Sequence, residues 1–169
     1  MSEQIVQIIT DLLKGKIGNE FICFVISLLP ILELRGGLLA ASPAFLNVPL
    51  GKALIVCIVG NLLPIPFVLL LIEKILELME KWSFTRGFAL WLRNKAEKHK
   101  QKIAQYGFWG LVLFVGIPLP GTGAWTGSLV AALLHMDFKK AFGAIMIGVL
   151  LAAVIMTVIS YGIIGTLFG

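Results

Sequence analysis

Residues 21–41 read FICFVISLLPILELRGGLLAA, an apolar run interrupted near its middle by Glu33 and Arg35. A charged side chain at bilayer depth costs about 2.5–3.5 kcal/mol on insertion scales. Chains accept that cost where the charge couples an ion, grips a substrate or pairs to hold a fold. Pro30 just before the pair and Gly36–Gly37 just after it predict that the helix breaks here. The stretch reads as a polar site on a broken helix, the arrangement of a transporter-type membrane protein.

Composition supports a bilayer setting. The 169 residues are 59% hydrophobic and 14% charged, with a mean hydropathy of +0.98; soluble domains are about 45–50% apolar and about 25% charged. The expected class is an all-α integral membrane protein forming one membrane domain over residues 1–169. Each spanning helix needs about 20 residues, so only a few passes fit. The start, MSEQIVQIITDLLKGKIG, carries Glu3 and Asp11 and no basic stretch before its apolar run, so no cleavable signal is expected. Cys23 and Cys57 lie in apolar segments and read as small buried hydrophobes. The chain has no Ser/His/Asp grouping, no His/Cys metal spacing and no phosphate-binding glycine loop. No enzyme, metal or cofactor is therefore expected. The net charge of +5 comes from one region and needs no nucleic acid to explain it.

The working division is an N-terminal helix (1–19), a first repeat (20–81), a basic connector (82–105) and a second repeat (106–169). Ile5, Ile8, Ile9, Leu12 and Leu13 share a helical face too short to span, which predicts an interfacial amphipathic helix ending at Lys14 and Lys16. Residues 53–72 are apolar throughout, with Pro64 and Pro66 as expected kinks, and the helix should continue to about Lys81. In the connector, Lys81, Arg86, Arg93, Lys95, Lys98, Lys100 and Lys102 are interleaved with Trp82, Phe84, Phe88, Leu90, Trp91 and Leu92. That pattern fits a helix lying on the membrane, aromatic side in and basic side toward lipid phosphates. Residues 107–134 are apolar and broken at Pro118, Pro120, Gly121 and Gly123; residues 141–168 are apolar and unbroken.

The halves correspond. Pro30 aligns with Pro120, Gly37 with Gly127, Leu39 with Leu129 and Ala41 with Ala131. After a slip in the loop, Lys52 aligns with Lys140 and Gly60 with Gly148. Each half runs broken segment, short loop, unbroken segment. Broken segments in corresponding positions of two halves point to a transporter binding site. The reading is two inverted repeats, each a re-entrant helical hairpin followed by a transmembrane helix, with the amphipathic N-terminal helix and the basic interfacial connector outside them. Parallel repeats of fully spanning segments remain the alternative, and counting Lys and Arg does not separate the two.

Glu33 is the candidate proton-coupling group, since burial raises a carboxyl pKa. Arg35, Thr122, Trp125, Thr126, Ser128 and Asn61 are candidate substrate-binding groups. Pro30, Gly36, Gly37, Pro118, Pro120, Gly121, Gly123 and Gly127 would shape the hairpin backbone. Half-helix N-termini at the tips would present N–H groups to an anion. A structural role stands beside each of these: Glu33 and Arg35 as a staple, the hydroxyls as backbone partners, Asn61 as packing glue. His135 and Asp137 read as an ordinary interfacial loop, with proton access as the sharper alternative, and His99 reads as solvated.

The blocks PILELRGGLLAA (30–41) and IPLPGTGAWTGSLVAALL (117–134) closely resemble the signature blocks of the small multidrug export protein family. That family is distantly similar to the DedA/VTT superfamily. The resemblance covers roughly residues 20–165. It implies a multi-pass protein of a bacterial or archaeal inner membrane with two re-entrant hairpins. Through DedA-like relatives it also implies proton-linked transport, membrane homeostasis and lipid-phosphate carrier recycling. Those relatives carry acidic groups in the first hairpin and an arginine motif in the second. Glu33 matches the first, whereas residues 114–128 hold no arginine and Arg35 lies in the first block. The expected partners are the bilayer, protons and an amphipathic small molecule or lipid-phosphate substrate. A homodimer would thicken the wall around the site. The alternatives are a lipid scramblase or polyprenyl-phosphate translocase, and a non-transporting membrane assembly factor.

Overall fold

The computed structural model describes residues 2–13, 17–119 and 121–163. Lys14, Lys16, Pro120 and the end of the last apolar segment lie outside the described residues. So do the side chains of Leu12, Phe84, Phe88, Leu92, Arg93, Lys95, Lys98, His99, Lys100 and Lys102.

The described chain is all-helical. In order it forms α1 (Ser2–Leu13), α2 (Asn19–Leu28), α3 (Glu33–Ala41), α4 (Leu50–Leu62), α5 (Ile65–Lys81), α6 (Ser83–Gly116), α7 (Ala124–Leu133), α8 (Phe138–Thr157) and a π-helical turn, Val158–Ile163. Two stretches are long and apolar enough to cross a membrane: Leu50–Ile72, through α4 and the start of α5, and Phe138–Gly162. Their exposed faces are rows of large apolar side chains, among them Ile55, Val59, Leu63 and Phe67 on the first and Leu150, Val154 and Val158 on the second. A contiguous apolar surface of this kind suits lipid rather than water. Helix assignment is interrupted at Leu63 and Pro64, between α4 and α5, but both residues keep helical dihedrals and the path continues because Leu63 donates to the Val59 carbonyl and Val68 to that of Pro64.

Proline ends both arms that enter the breaks. A residue preceding proline is pushed out of the helical region. Leu29, before Pro30, is extended (φ −73°, ψ 134°) and closes α2. Ile117, before Pro118, is extended (φ −81°, ψ 121°) and closes α6. Pro30 therefore plays the part of Pro118. Its alignment with Pro120 is displaced because the second break is longer than the first. Gly36 and Gly37 lie within α3 and do not break it. A methyl on Gly37 would sit 1.8 Å from Ser27 Oγ and 3.0 Å from the Cys23 carbonyl oxygen. This glycine lets α3 fold back against α2.

The same contacts recur in the second half. A methyl on Gly127 of α7 would sit 2.7 Å from Val115 of α6. Gly60 of α4 touches Phe24 and Ser27 of α2, and Gly148 of α8 touches Val112 and Val115 of α6. In each half one glycine packs the return helix, and another the long helix, onto the same first arm. The loops agree too. Asn47 and His135 both adopt φ 50°, while Val48 and Met136 donate to the carbonyls of Ala41 and Ala131.

The N-terminal helix departs from its expected face. Val6 and Thr10 are the buried positions of α1, with Ile5, Ile9 and Leu13 partly buried, and Ile8 is exposed. The helix packs on α3, so the core selects a face rotated away from the one the isoleucines suggest. Helix α6 carries the connector and bends at Gly107 (φ 55°, ψ −127°), which marks where the basic run gives way to the apolar arm. At the other end of the chain, the Tyr161 hydroxyl lies 3.0 Å from the Ala41 carbonyl oxygen and 2.8 Å from that of Val48. It ties the π-helical turn to the first loop. Cys23 and Cys57 are both buried, as their sequence setting predicts.

Substituting Gly37 by Ala is expected to lower stability by about 1–3 kcal/mol, the usual cost of overpacking a tight core. Gly51→Ala, in α4 with open space around its Cα, should be neutral or slightly stabilising. Thermal unfolding of the two variants in one detergent checks the contrast.

Candidate functional site

The two breaks meet through Glu33 and Arg35. Glu33, the first residue of α3, is buried, and its backbone is left-handed (φ 52°). A left-handed residue other than glycine costs about 1–2 kcal/mol. That strain turns the carboxylate across to the start of α7. The backbone N–H groups of Ala124 and Trp125 donate to Glu33 Oε2 and Oε1, both at 3.1 Å. Helix starts leave N–H groups unpaired and carry a partial positive charge. The Glu33 side chain thus caps a helix of the other half of the chain. Each charge-assisted hydrogen bond of this sort contributes about 1.5–3 kcal/mol.

Gly123 makes the contact sterically possible. Its φ of 136° is a conformation other residues rarely adopt, and a methyl there would sit 2.0 Å from Glu33 Oε2. Glu33 opens α3, and Gly123 immediately precedes α7. One supplies the carboxylate and the other the space for it.

Arg35 works in the opposite sense. Its Nη1 donates to the Leu119 carbonyl at 2.7 Å, and its Nη2 to the Ile117 carbonyl at 3.3 Å and to Thr122 Oγ1 at 3.0 Å. The Thr122 hydroxyl shares its own proton between the same two carbonyls, at 2.8 Å (Leu119) and 3.0 Å (Ile117). Two residues apart on a regular helix, Glu33 and Arg35 would diverge. The bend at Glu33 lets both reach the second break, one to its N–H groups and the other to its carbonyls. Arg35 remains half-buried, so the guanidinium is the accessible member of the pair.

The other sequence candidates are spread more widely. Trp125 joins through its backbone N–H, while its buried indole Nε1 has no hydrogen-bond partner. Thr126 is buried one position further along α7. The Ser128 hydroxyl turns back onto the Ala124 carbonyl, which satisfies the helix backbone. Asn61 is buried on α4 with its amide oxygen unpaired. Gly121 (φ 83°) and Gly123 carry the backbone turn, and Gly127 is a packing glycine within α7. Sequence reasoning did not single out the carbonyls of Ile117 and Leu119 or the N–H of Ala124. The signal was the Ile-Pro-Leu-Pro run. The proline following Ile117 holds that residue extended and ends α6 there, leaving the carbonyls of the break outside the helix. Among the described residues no group of His, Cys, Asp and Glu side chains could hold a metal ion.

A family model described as "Putative small multi-drug export protein" matches residues 33–155, from the capping carboxylate of α3 to the last turn of α8. The chain belongs to this family. No curated protein and no solved structure matches it. The family's transport designation agrees with the two long apolar stretches, and together they indicate a membrane transporter. In this family member the matched region begins at Glu33 and takes in both breaks, so the clamp lies wholly inside it.

Removing the cap should cost about 2 kcal/mol, the upper range for losing an N-cap. Glu33→Gly should be more stable than Glu33→Ala by about 1 kcal/mol, because only glycine relaxes in the left-handed position. Gly123→Ala should destabilise through the same contact. Combined with Glu33→Ala it should cost less than the two separate losses added. A double-mutant cycle on thermal unfolding measures the coupling, and strict additivity would mean the two residues do not share one contact.

Proposed function

We propose that this chain is a small secondary transporter of a bacterial or archaeal inner membrane, driven by protons, with the Glu33–Arg35 clamp as its gate. The helix–break–helix units α2–α3 and α6–α7 are re-entrant hairpins of two inverted repeats, and their tips meet at bilayer depth. The matching proline ends, packing glycines and left-handed loop residues of the two halves support this reading. Non-helical backbone inside a bilayer also has to be covered by protein or to line a polar cavity. The observation that carries the proposal is the carboxylate of Glu33 lying on the first N–H groups of α7.

That contact depends on charge. An ionised Glu33 is held by two N–H groups and by the partial positive charge of the helix start. A protonated Glu33 loses the attraction and frees the start of α7. The exposed N–H groups and Arg35 then form a cationic face suited to a phosphate or carboxylate headgroup on an amphipathic molecule. Deprotonation draws Glu33 back and expels the ligand. The competing reading is a staple in a non-transporting assembly factor. It is favoured by the observation that Arg35 is already engaged by two carbonyls and a hydroxyl.

Uptake into proteoliposomes under an imposed pH gradient separates the two. Amphipathic phosphates and organic cations serve as probes for the wild-type chain and for Glu33→Gln, which keeps an acceptor oxygen at the cap. The expected result is gradient-driven uptake that falls about tenfold or more in the variant, the rate effect of ~1.4 kcal/mol. Uptake indifferent to the gradient would exclude proton coupling. Equal uptake by both chains would remove Glu33 from the gate.

A further inference from the structure

We infer that the groove between α5 and the turn joining α7 to α8 seats one anionic phospholipid. The groove has a volume of about 260 Å³ and is lined by Leu69, Leu70 and Lys74 of α5 and by His135, Met136 and Phe138 of the turn and the start of α8. Leu69, Leu70, Ala132, Met136 and Phe138 are its apolar lining residues, and its two cationic or protonatable groups, Lys74 and His135, are both exposed. The groove is open and falls just below the ~300–1,000 Å³ of clefts that enclose small molecules. It suits part of an elongated molecule, one acyl chain with its headgroup, better than a ligand swallowed whole.

Position supplies the second argument. The first apolar stretch ends at Ile72 and the second begins at Phe138. Lys74 and His135 therefore stand just past the same end of both stretches, where α5 packs on α7 and α8. Leu69 and Leu70 lie inside the first apolar stretch, toward acyl-chain depth, and Lys74 lies beyond its end, at phosphate depth. Lys139 and Lys140, both exposed on the first turn of α8, add positive charge at that level. Glu73, Glu77 and Asp137 bring as many negative charges near this level as Lys74, Lys139 and Lys140 bring positive ones, but neither Glu77 nor Asp137, whose carboxylate accepts the Lys140 backbone N–H as the cap of α8, lines the groove. A surface cation attracts anionic lipid by about fivefold. Apolar lining residues beside it distinguish a seated lipid from diffuse attraction.

The inference rests on the membrane placement of the chain and is independent of the Glu33 gate. The full-length protein is released from nanodiscs of equal phosphatidylglycerol and phosphatidylcholine, and retained lipid is weighed by native mass spectrometry. Phosphatidylglycerol should be retained over phosphatidylcholine by about fivefold or more. The pair Lys74→Gln and His135→Asn should abolish the preference. Lys52→Gln, which removes one charge at the other end of the same apolar stretch and is paired with Glu20, should leave it intact. Met136→Trp crowds the groove while keeping Lys74 and His135, and it should also release the lipid. If the paired variant does not survive purification, Met136→Trp decides alone. An unchanged preference in either folded groove variant overturns the inference. So does an equal loss in Lys52→Gln, or displacement of the lipid by millimolar inorganic phosphate alone.

Discussion

The carboxylate of Glu33 meets the first N–H groups of α7, and the two halves of the protein are joined through that contact. Each side leaves the other something it cannot satisfy alone. The start of α7 has unpaired donors, since Gly123 before it has no side chain to cap them. The start of α3 has a carboxylate whose desolvation would be costly without such donors. Arg35 completes the exchange by taking up the carbonyls that Pro118 leaves outside any helix. A buried charge and a broken helix, each expensive in a bilayer, become mutually compensating.

The glycines make this approach close enough. Gly37 and Gly127 set each return helix against its first arm, and Gly60 and Gly148 set the following long helix against the same arm. Without a hydrophobic driving force between helices in lipid, packing distance governs association, and small residues shorten it. The breaks are thereby fixed relative to both long apolar stretches. A movement of either tip has to pass through contacts on α4 or α8, which ties the proposed gate to the framework that carries it.

Much of this was legible in the sequence because the signals are local. Prolines at 30 and 118 end helices through the stereochemistry of one residue and its neighbour. The apolar stretches are long enough to be recognised by length alone. Glu33 and Arg35 stand out because charge is rare in such surroundings. The parts that were misread depend on what lies opposite. Gly36 and Gly37 look like helix breakers, yet they sit inside α3 because close packing rewards the absence of a Cβ. The isoleucines of α1 suggest one face, and α3 selects another that buries Val6 and Thr10. Pro30 ends its arm as Pro118 does, although sequence spacing pairs it with Pro120, because an unequal break leaves no mark in a run of common residues.

The sequence by itself determined that the protein is helical and built for a membrane, where its helices stop, and which charged pair has to be accounted for. Those properties follow from side-chain hydropathy and backbone restriction, which act within a few residues. Only the tertiary structure decided what the pair does. Whether Glu33 faces a cavity, its own hairpin or the other half depends on a left-handed backbone turn at one residue and on an empty Cβ position at Gly123, far away in the chain. Neither property can be read from residue types, because each exists only once the two breaks are brought together.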